Sequence, residues 1–252
     1  MIDSEQFKIL MREYVDVPRK QPVAGINFAD LTIDIPDAAS FLSQVRDIFL
    51  ERQYLFKANS EEPVILDVGA NIGLASLFFA KQYPTAHIVA YEADPVIFDY
   101  MQRNLRQNEI SNVVSKNEAA WNEESKLGFL STGTDAGHMD SAAKTLVKAV
   151  DFSRELQQFE QIDLLKMDIE GSENVVFPTI EEHLPKIHNL IFEYHSEPTS
   201  EQQLARMLSL MEKHGFRYHL HQVNKRRSPL VNRVPAGYFD CQVNIFAYRI
   251  PR

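Results

Sequence analysis

From Val64 onward, apolar runs short enough to be strands alternate with segments whose apolar residues recur at helical spacing. VILDV reads as a strand, GLASLFFAKQY as a helix and AHIVAYE as a strand; Asp94 with Pro95 then supplies an N-cap and a first helical position for VIFDYMQRNLRQN. VVSKNEAAW reads as a third strand, and LGFLST and TLVKAV after it as a short β insertion. IDLLKMDIE, SENVVFPTIEEHL and HNLIFEYH repeat the strand-helix-strand pattern, and Thr199 with Gln202 reads as a capping box for a helix through His214. A strand that returns parallel to its predecessor needs a crossover, usually a helix, so this alternation predicts a doubly wound α/β sheet. FRYHLHQV and CQVNIFAY have no helix between them and should pair antiparallel. The expectation is a mostly parallel, seven-stranded sheet with one antiparallel strand near the C-terminus.

Residues 1–62 differ from the rest. A short helix pattern is followed by a stretch punctuated by Pro18, Pro22 and Pro36, then by AASFLSQVRDIFLERQYLF, in which Phe41, Leu42, Val45, Ile48 and Phe49 recur at helical spacing behind an Asp37 N-cap. The expected division is an N-terminal helical cap over 1–62, covering the substrate, and a main domain over 63–252. With 44% hydrophobic residues, 252 residues suffice for one large core. The net charge of -9 argues against a nucleic acid or an anionic membrane as partner. A single cysteine, Cys241, excludes an internal disulfide and a cysteine-rich zinc site, and within CQVNIFAY it reads as a strand residue rather than a nucleophile. The opening MIDSEQFKILMREYVD has no apolar run suited to a signal peptide or membrane span, so a cytoplasmic location is the default expectation. The oligomeric state is left open, a homodimer included.

In doubly wound sheets, ligands bind outside the carboxyl ends of the strands, where strand order reverses. DVGANIG falls there, with Gly69 and Gly73 letting the backbone approach a ligand and the following helix offering amide donors and a positive dipole end. Glu92 closes the next strand, about 20 residues beyond the loop, where an acid can accept ribose hydroxyls. A dinucleotide loop requires G-x-G-x-x-G, and here the middle glycine is missing. Asp67, just before the loop, disfavours a pyrophosphate and suits an ammonium or sulfonium. S-adenosylmethionine carries both cations, so a nicotinamide-dependent oxidoreductase is the weaker alternative.

LDVGANIG (66–73), YEADP (91–95), MQRNLRQN (101–108), NEAAWNEESKLGFL (117–130), LLKMDIEGSE (164–173) and IFEYH (191–195) follow one another in an order and spacing that resembles the FkbM-type methyltransferases. These belong to the class I S-adenosylmethionine-dependent superfamily, which has a Rossmann-like fold. K-x-D-x-E-G-x-E is the most specific of the motifs. The family usually has Pro directly after the ribose acid, whereas Ala93 and Asp94 stand before Pro95 here. The resemblance implies that Asp67, Gly69, Ala70, Asn71 and Gly73 line the methionine end and that Glu92, with Ala93 beside it, meets the ribose. It further implies that Glu118 and Ala119 stand near adenine, and that Asp168 lies beside the methionine moiety. The implied activity is methylation of a small-molecule hydroxyl on a sugar, polyketide or other secondary metabolite. A protein that binds S-adenosylmethionine without turnover is the alternative.

Asp168 and Glu170 stand two apart at one strand end, Glu193 and His195 at another, and extended backbone would turn each pair to one side. His195 is the expected general base, Glu170 either orients it or holds the acceptor hydroxyl, and Asp168 completes the catalytic set. The same groups are compatible with a divalent cation, but no metal ligand set is predicted. Lys166 is expected to pack in its strand or pair with Glu170 or Glu173, and Asn104 to cap or brace structure. His219 and His221 read as strand packing, and Trp121 either stacks near adenine or covers a sheet edge. The loop 132–144, with Gly133, Gly137, His138 and Asp140, is expected over the pocket as a flap. The loop 224–237, with Lys225, Arg226, Arg227 and Arg233, reads as a solvated hairpin loop, or less favourably as a site for an acidic substrate group.

Overall fold

A computed structural model describes residues 1–134, 137–140, 142–223, 227–233 and 238–250. The chain opens with α1 (Ser4–Tyr14), a hairpin of β1 (Val23–Phe28) and β2 (Leu31–Ile35), and α2 (Ala38–Val45), which continues into one wide π-type turn over Arg46–Leu50. Asp37 caps α2 by accepting from the Ser40 amide at 2.9 Å, and its other oxygen accepts from the Arg19 side chain and the Lys20 amide. The hairpin is a feature that the sequence reading lacked. Its two turn residues, Ala29 and Asp30, both have positive φ (50° and 59°), the conformation of a two-residue I′ turn without the usual Asn-Gly or Asp-Gly signal.

The main sheet begins at β3 (Val64–Val68), followed by α3 (Leu74–Gln82), β4 (His87–Tyr91), α4 (Pro95–Gln107) and β5 (Val113–Lys116). A second, smaller sheet then inserts as β6 (Ala119–Trp121), β7 (Ser125–Leu130), β8 (His138–Met139) and β9 (Thr145–Asp151). The chain returns through α5 (Phe152–Leu156) to β10 (Ile162–Met167), α6 (Glu173–Thr179), a 3-10 turn over Glu181–Lys186, β11 (Ile187–Ser196), α7 (Leu204–Lys213), β12 (Phe216–Gln222) and β13 (Cys241–Arg249). The seven-stranded order is β12-β13-β11-β10-β3-β4-β5, and β13 alone runs against its neighbours. This is the expected doubly wound sheet with one antiparallel strand. Strand order reverses between β3 and β10, which opens a crevice at their carboxyl ends.

Local boundaries differ in several places, β10 stopping at Met167 among them. The third sheet strand stops at Lys116, because Ala119–Trp121 leaves the main sheet to pair with β9. The helix after β10 is cut to Glu173–Thr179, with Pro178 in its last turn, before the 3-10 turn. The Thr199–Gln202 capping box does not form. Instead α7 starts at Leu204, and the Gln203 amide donates to the Tyr194 hydroxyl at 2.9 Å, so a tertiary contact replaces the local cap.

Successive strand residues feed opposite layers. Ile65 and Leu164 join the cluster holding α3 and the N-terminal segment, while Leu66 and Leu165 join the one holding α5, α6 and α7. In α3, every residue from Leu74 to Ala80 is buried. A helix apolar all round needs cover on both sides. The sheet supplies one side and the N-terminal segment the other, through Phe49 edge-on to Phe78 at 5.5 Å and Tyr54 stacked on Phe79 at 6.1 Å. Each buried Phe is worth roughly 1.5–3 kcal/mol. Among the described residues, no helix is long and apolar enough to cross a membrane.

Candidate functional site

A cavity of about 1240 Å³ opens at the carboxyl ends of β3, β4, β10 and β11. It exceeds the roughly 300–1,000 Å³ typical of a single small-ligand site. The N-terminal segment closes one side with Gln44, Asp47 and Tyr54, and the inserted sheet closes another with Phe129 and Met139. Acids on its wall, among them Asp47, Glu92, Asp94, Asp168 and Glu193, outnumber the cations Lys166 and Arg227 among the described residues. Such a wall favours a positively charged ligand.

The loop between β3 and α3 is tied to the end of β4: the Gly69 and Ala70 amides both donate to the Tyr91 carbonyl, at 3.0 and 2.8 Å. Asn71 has a φ of 51°, and its amide donates to Glu92 Oε2 at 2.8 Å; its own Oδ1 takes the Ile72 amide. All four loop amides from Gly69 to Ile72 are therefore engaged within the protein. Glu92 also accepts from the Asp94 amide at 2.8 Å. Burial raises the Glu92 pKa and these two N–H bonds lower it, leaving it pushed up to about 7. A vicinal diol donating to this carboxylate would stabilise the ionised form that burial disfavours. Ala70, Ala93, Glu118 and Ala119 line the same cavity, and Lys148 meets Glu118 at 2.5 Å.

Asp67 and Gly73 lie behind this wall rather than on it. Asp67 is fully buried; one oxygen accepts from the Ser76 hydroxyl at 2.6 Å and the other faces the Lys166 ammonium at 3.4 Å. Lys166 also meets Asp168 at 3.8 Å and donates to the Gly69 carbonyl at 2.5 Å, so its partners are Asp67 and Asp168, not Glu170 or Glu173. Burial alone would lower the Lys166 pKa, but the two aspartates outweigh it and hold the ammonium above its usual value. The loop glycines answer to protein contacts. A Cβ on Gly69 would collide with the Asp168 carbonyl, and one on Gly73 would meet the Met101 side chain.

The second cluster stands where β10 and β11 end. Glu193 and His195 share a face of β11, as extended backbone requires. Asp168 and Glu170 do not form an extended pair, because Glu170 has a φ of 53° ahead of Gly171 at 95°. That bend nevertheless brings the Glu170 carboxylate 3.5 Å from His195 Nε2, and Glu193 stands 3.4 Å from the same atom. Glu173, fully buried in the first turn of α6, organises the group. It accepts from the Ile169 and Gly171 amides at 2.6 and 2.8 Å and faces His195 Nδ1 at 3.2 Å. Burial lowers the His195 pKa, but Glu173, Glu193 and Glu170 override it and hold the imidazole charged well above its ordinary range. Burial keeps the Glu170 carboxyl above the usual range, an effect His195 moderates.

Glu173 entered the sequence reading only as a partner for Lys166; its signal is the last acid of K-x-D-x-E-G-x-E, at a helix start. Tyr54 had no signal. It stands half-buried against the cavity, and desolvation, then Asp168 and Glu193, raise its hydroxyl pKa well above normal. Asn104 braces as expected, accepting from the Asp34 amide and donating to the Asp34 and Ile72 carbonyls. Trp121 packs between two apolar clusters. His219 and His221 lie on β12 against Tyr248 and Phe246. In the loop 132–144, Thr134, Gly137 and Met139 line the cavity, and His138 stacks on Tyr238 at 4.7 Å; residues 135, 136 and 141 lie outside the described residues. Lys225 and Arg226 also lie outside them, while Arg227 lines the cavity and the Arg233 side chain donates to the Leu230 carbonyl.

The family profile described as the Methyltransferase FkbM domain matches residues 67–218. "Methyltransferase sdnD" of Sordaria araneosa is 29% identical over 210 residues, covering 68% of this chain and 80% of that one. "31-O-demethyl-FK506 methyltransferase FkbM" of Streptomyces tacrolimicus is 26% identical over 245 residues, covering 81% and 88%. A solved S-adenosylmethionine-dependent methyltransferase from Agrobacterium tumefaciens aligns with a TM-score of 0.54 at 13% identity, over 92% of this chain and 71% of that one, a likeness of fold.

Proposed function

From the premise that the chain belongs to the FkbM methyltransferase family, we propose that it moves a methyl group from S-adenosylmethionine to a hydroxyl oxygen of a small molecule. The observation that carries this reading is Glu92: a carboxylate at the end of β4, braced by two backbone amides, in a cavity whose wall is mostly acidic. In this reading Glu92 takes the ribose hydroxyls, Ala93, Glu118 and Ala119 border the adenine, and Gly69, Ala70, Asn71 and Asp168 border the methionine end. Asp67 and Gly73 support them from behind by holding Lys166 and starting α3. S-adenosylmethionine, when bound, supplies a methyl carbon activated by its sulfonium.

The protein's share of the chemistry is to hold the acceptor oxygen in line and take its proton. We assign these tasks to Asp168, Glu170 and His195. Glu170 lies on the cavity wall with a carboxyl that burial makes more basic than usual, so it takes the proton. His195, buried behind Glu170 and Glu193 and held charged, positions both carboxylates. The N-terminal residues Gln44, Asp47 and Tyr54 cover the acceptor side. An oxygen acceptor from secondary metabolism is supported by the Streptomyces relative, named for 31-O-demethyl-FK506.

Calorimetric titration with S-adenosylhomocysteine tests the reading. One equivalent should bind to the wild type, weakly or not at all to Glu92→Ala, and labelled methyl should pass to a hydroxylated acceptor in a metabolite panel. No heat with S-adenosylhomocysteine, or binding of a nicotinamide dinucleotide instead, would sink it.

A further inference from the structure

We propose that Asp168, Glu193 and His195 form a site for one divalent first-row transition-metal cation, of the Mn²⁺ or Zn²⁺ kind, at the wall of the cavity. One ligand atom from each residue falls within a group whose members all lie within 4.8 Å of one another. Ligands about 2.1 Å from a common cation stand roughly 3–4 Å apart, so closure asks for side-chain shifts of about 1 Å.

The stronger evidence is His195 itself. It is fully buried, and its Nε2 has no hydrogen-bond partner while aiming at the carboxylates of Glu193 and Glu170. Its other nitrogen, Nδ1, faces Glu173, whose remaining contacts are to the backbone amides of Ile169 and Gly171. A carboxylate that fixes one imidazole nitrogen so that the other presents its lone pair is the usual outer support of a metal-bound histidine. Charge points the same way. Four carboxylates, Asp168, Glu170, Glu173 and Glu193, gather around one imidazole and the Lys166 ammonium. With all four ionised and His195 protonated, the anions outnumber the cations two to one; a divalent ion on Nε2 displaces the imidazole proton and halves the excess. An imidazole ligand among carboxylates selects a transition metal over Mg²⁺ or Ca²⁺.

Phe239 covers the His195 ring at 4.6 Å, whereas Asp168 and Glu193 line the cavity, so the open coordination positions face the acceptor. A cation there would polarise an acceptor hydroxyl; this last role rests on the methyl-transfer reading, and the binding of metal does not.

The test uses the full chain stripped with a chelator and titrated with MnCl₂, read by loss of the free-ion electron paramagnetic resonance signal, and with ZnCl₂ by calorimetry. One equivalent of either ion should bind, and Glu193→Gln and His195→Gln should each weaken binding about tenfold or more. Where His195→Gln does not fold, Glu193→Gln decides alone. No saturable uptake of either ion, or uptake unchanged in the variants that fold, overturns the proposal. S-adenosylhomocysteine affinity measured on the same samples separates the two readings: a protein that binds it but no metal sinks only the cation site, and the reverse sinks only the methyl-transfer reading.

Discussion

A β-carbon on Gly69 would lie 1.8 Å from the carbonyl oxygen of Asp168, so the loop after β3 and the loop after β10 meet backbone to backbone. These are the two central strands at which sheet order reverses, and each contributes acids to one cavity. Their spacing is set by that contact and by Lys166, which spans Asp67, Asp168 and the Gly69 carbonyl.

Gly69→Ala should therefore cost more than Gly73→Ala, although both glycines have φ above +80° or close to it. At Gly73 the neighbour is the Met101 side chain at 3.0 Å, which can rotate away, leaving a backbone strain of about 1–2 kcal/mol. At Gly69 the neighbour is backbone, so the loops must part, at a cost of about 3 kcal/mol or more and with loss of S-adenosylhomocysteine binding. Urea denaturation of the two variants checks this; equal losses would refute it.

Lys166→Met should be among the most damaging changes in the sheet. It leaves the carboxylate of Asp67, fully buried, without its cation and removes a donor from the Gly69 carbonyl. Removing one member of a buried ion pair costs about 3–5 kcal/mol. Adding Asp67→Asn should restore part of this, since the remaining buried charge is gone. A double variant no more stable than Lys166→Met would show that the pair is not coupled.

Features governed by neighbours in sequence were legible. The Asp37 and Asp94 caps and the alternation of strands and helices were readable, and so was the lone antiparallel β13, because no helix separates it from β12. The acids at strand ends, Glu92, Asp168 and Glu193, were readable for the same reason. Contacts between distant segments were not. Lys166 pairs with Asp67 because β10 lies beside β3 with those residues in register, which no local pattern encodes. Tyr194 displaces the Thr199 cap of α7 from another strand, and Tyr54 reaches the cavity only because α3 needs cover on its outer face. The β1–β2 hairpin stayed hidden because Ala29 and Asp30 adopt positive φ without glycine.

Asn104→Leu should loosen the N-terminal hairpin. The Asn104 side chain satisfies both the amide and the carbonyl of Asp34 in β2 and also holds the Ile72 carbonyl, so one residue of α4 joins the hairpin to the β3–α3 loop. Losing these bonds while leaving the groups under cover should cost about 2 kcal/mol. Hydrogen exchange should speed up at the Asp34 amide more than at the amides of β10; uniform acceleration would contradict a local brace.

Glu92 gives a pH dependence whose sign can be worked out. Its carboxyl is pushed from an ordinary 4.5 to about 7 in the folded protein. Below pH 4.5 both states hold the proton and the residue has no effect. Between 4.5 and 7 the unfolded chain ionises first, so ligand-free stability falls as pH rises, by roughly 3 kcal/mol at most. Glu92→Gln removes that loss, and its stability relative to wild type should improve between pH 4.5 and 8. In the proposed reading ribose hydroxyls donate to the ionised form, so ligand affinity should move the other way. About a tenth of Glu92 is ionised at pH 6 and nine-tenths at pH 8, so wild-type affinity for S-adenosylhomocysteine should rise about tenfold across that range. Glu92→Gln should bind weakly with no such slope. A wild-type affinity that is flat from pH 6 to 8 would mean that Glu92 does not meet the ligand as an anion.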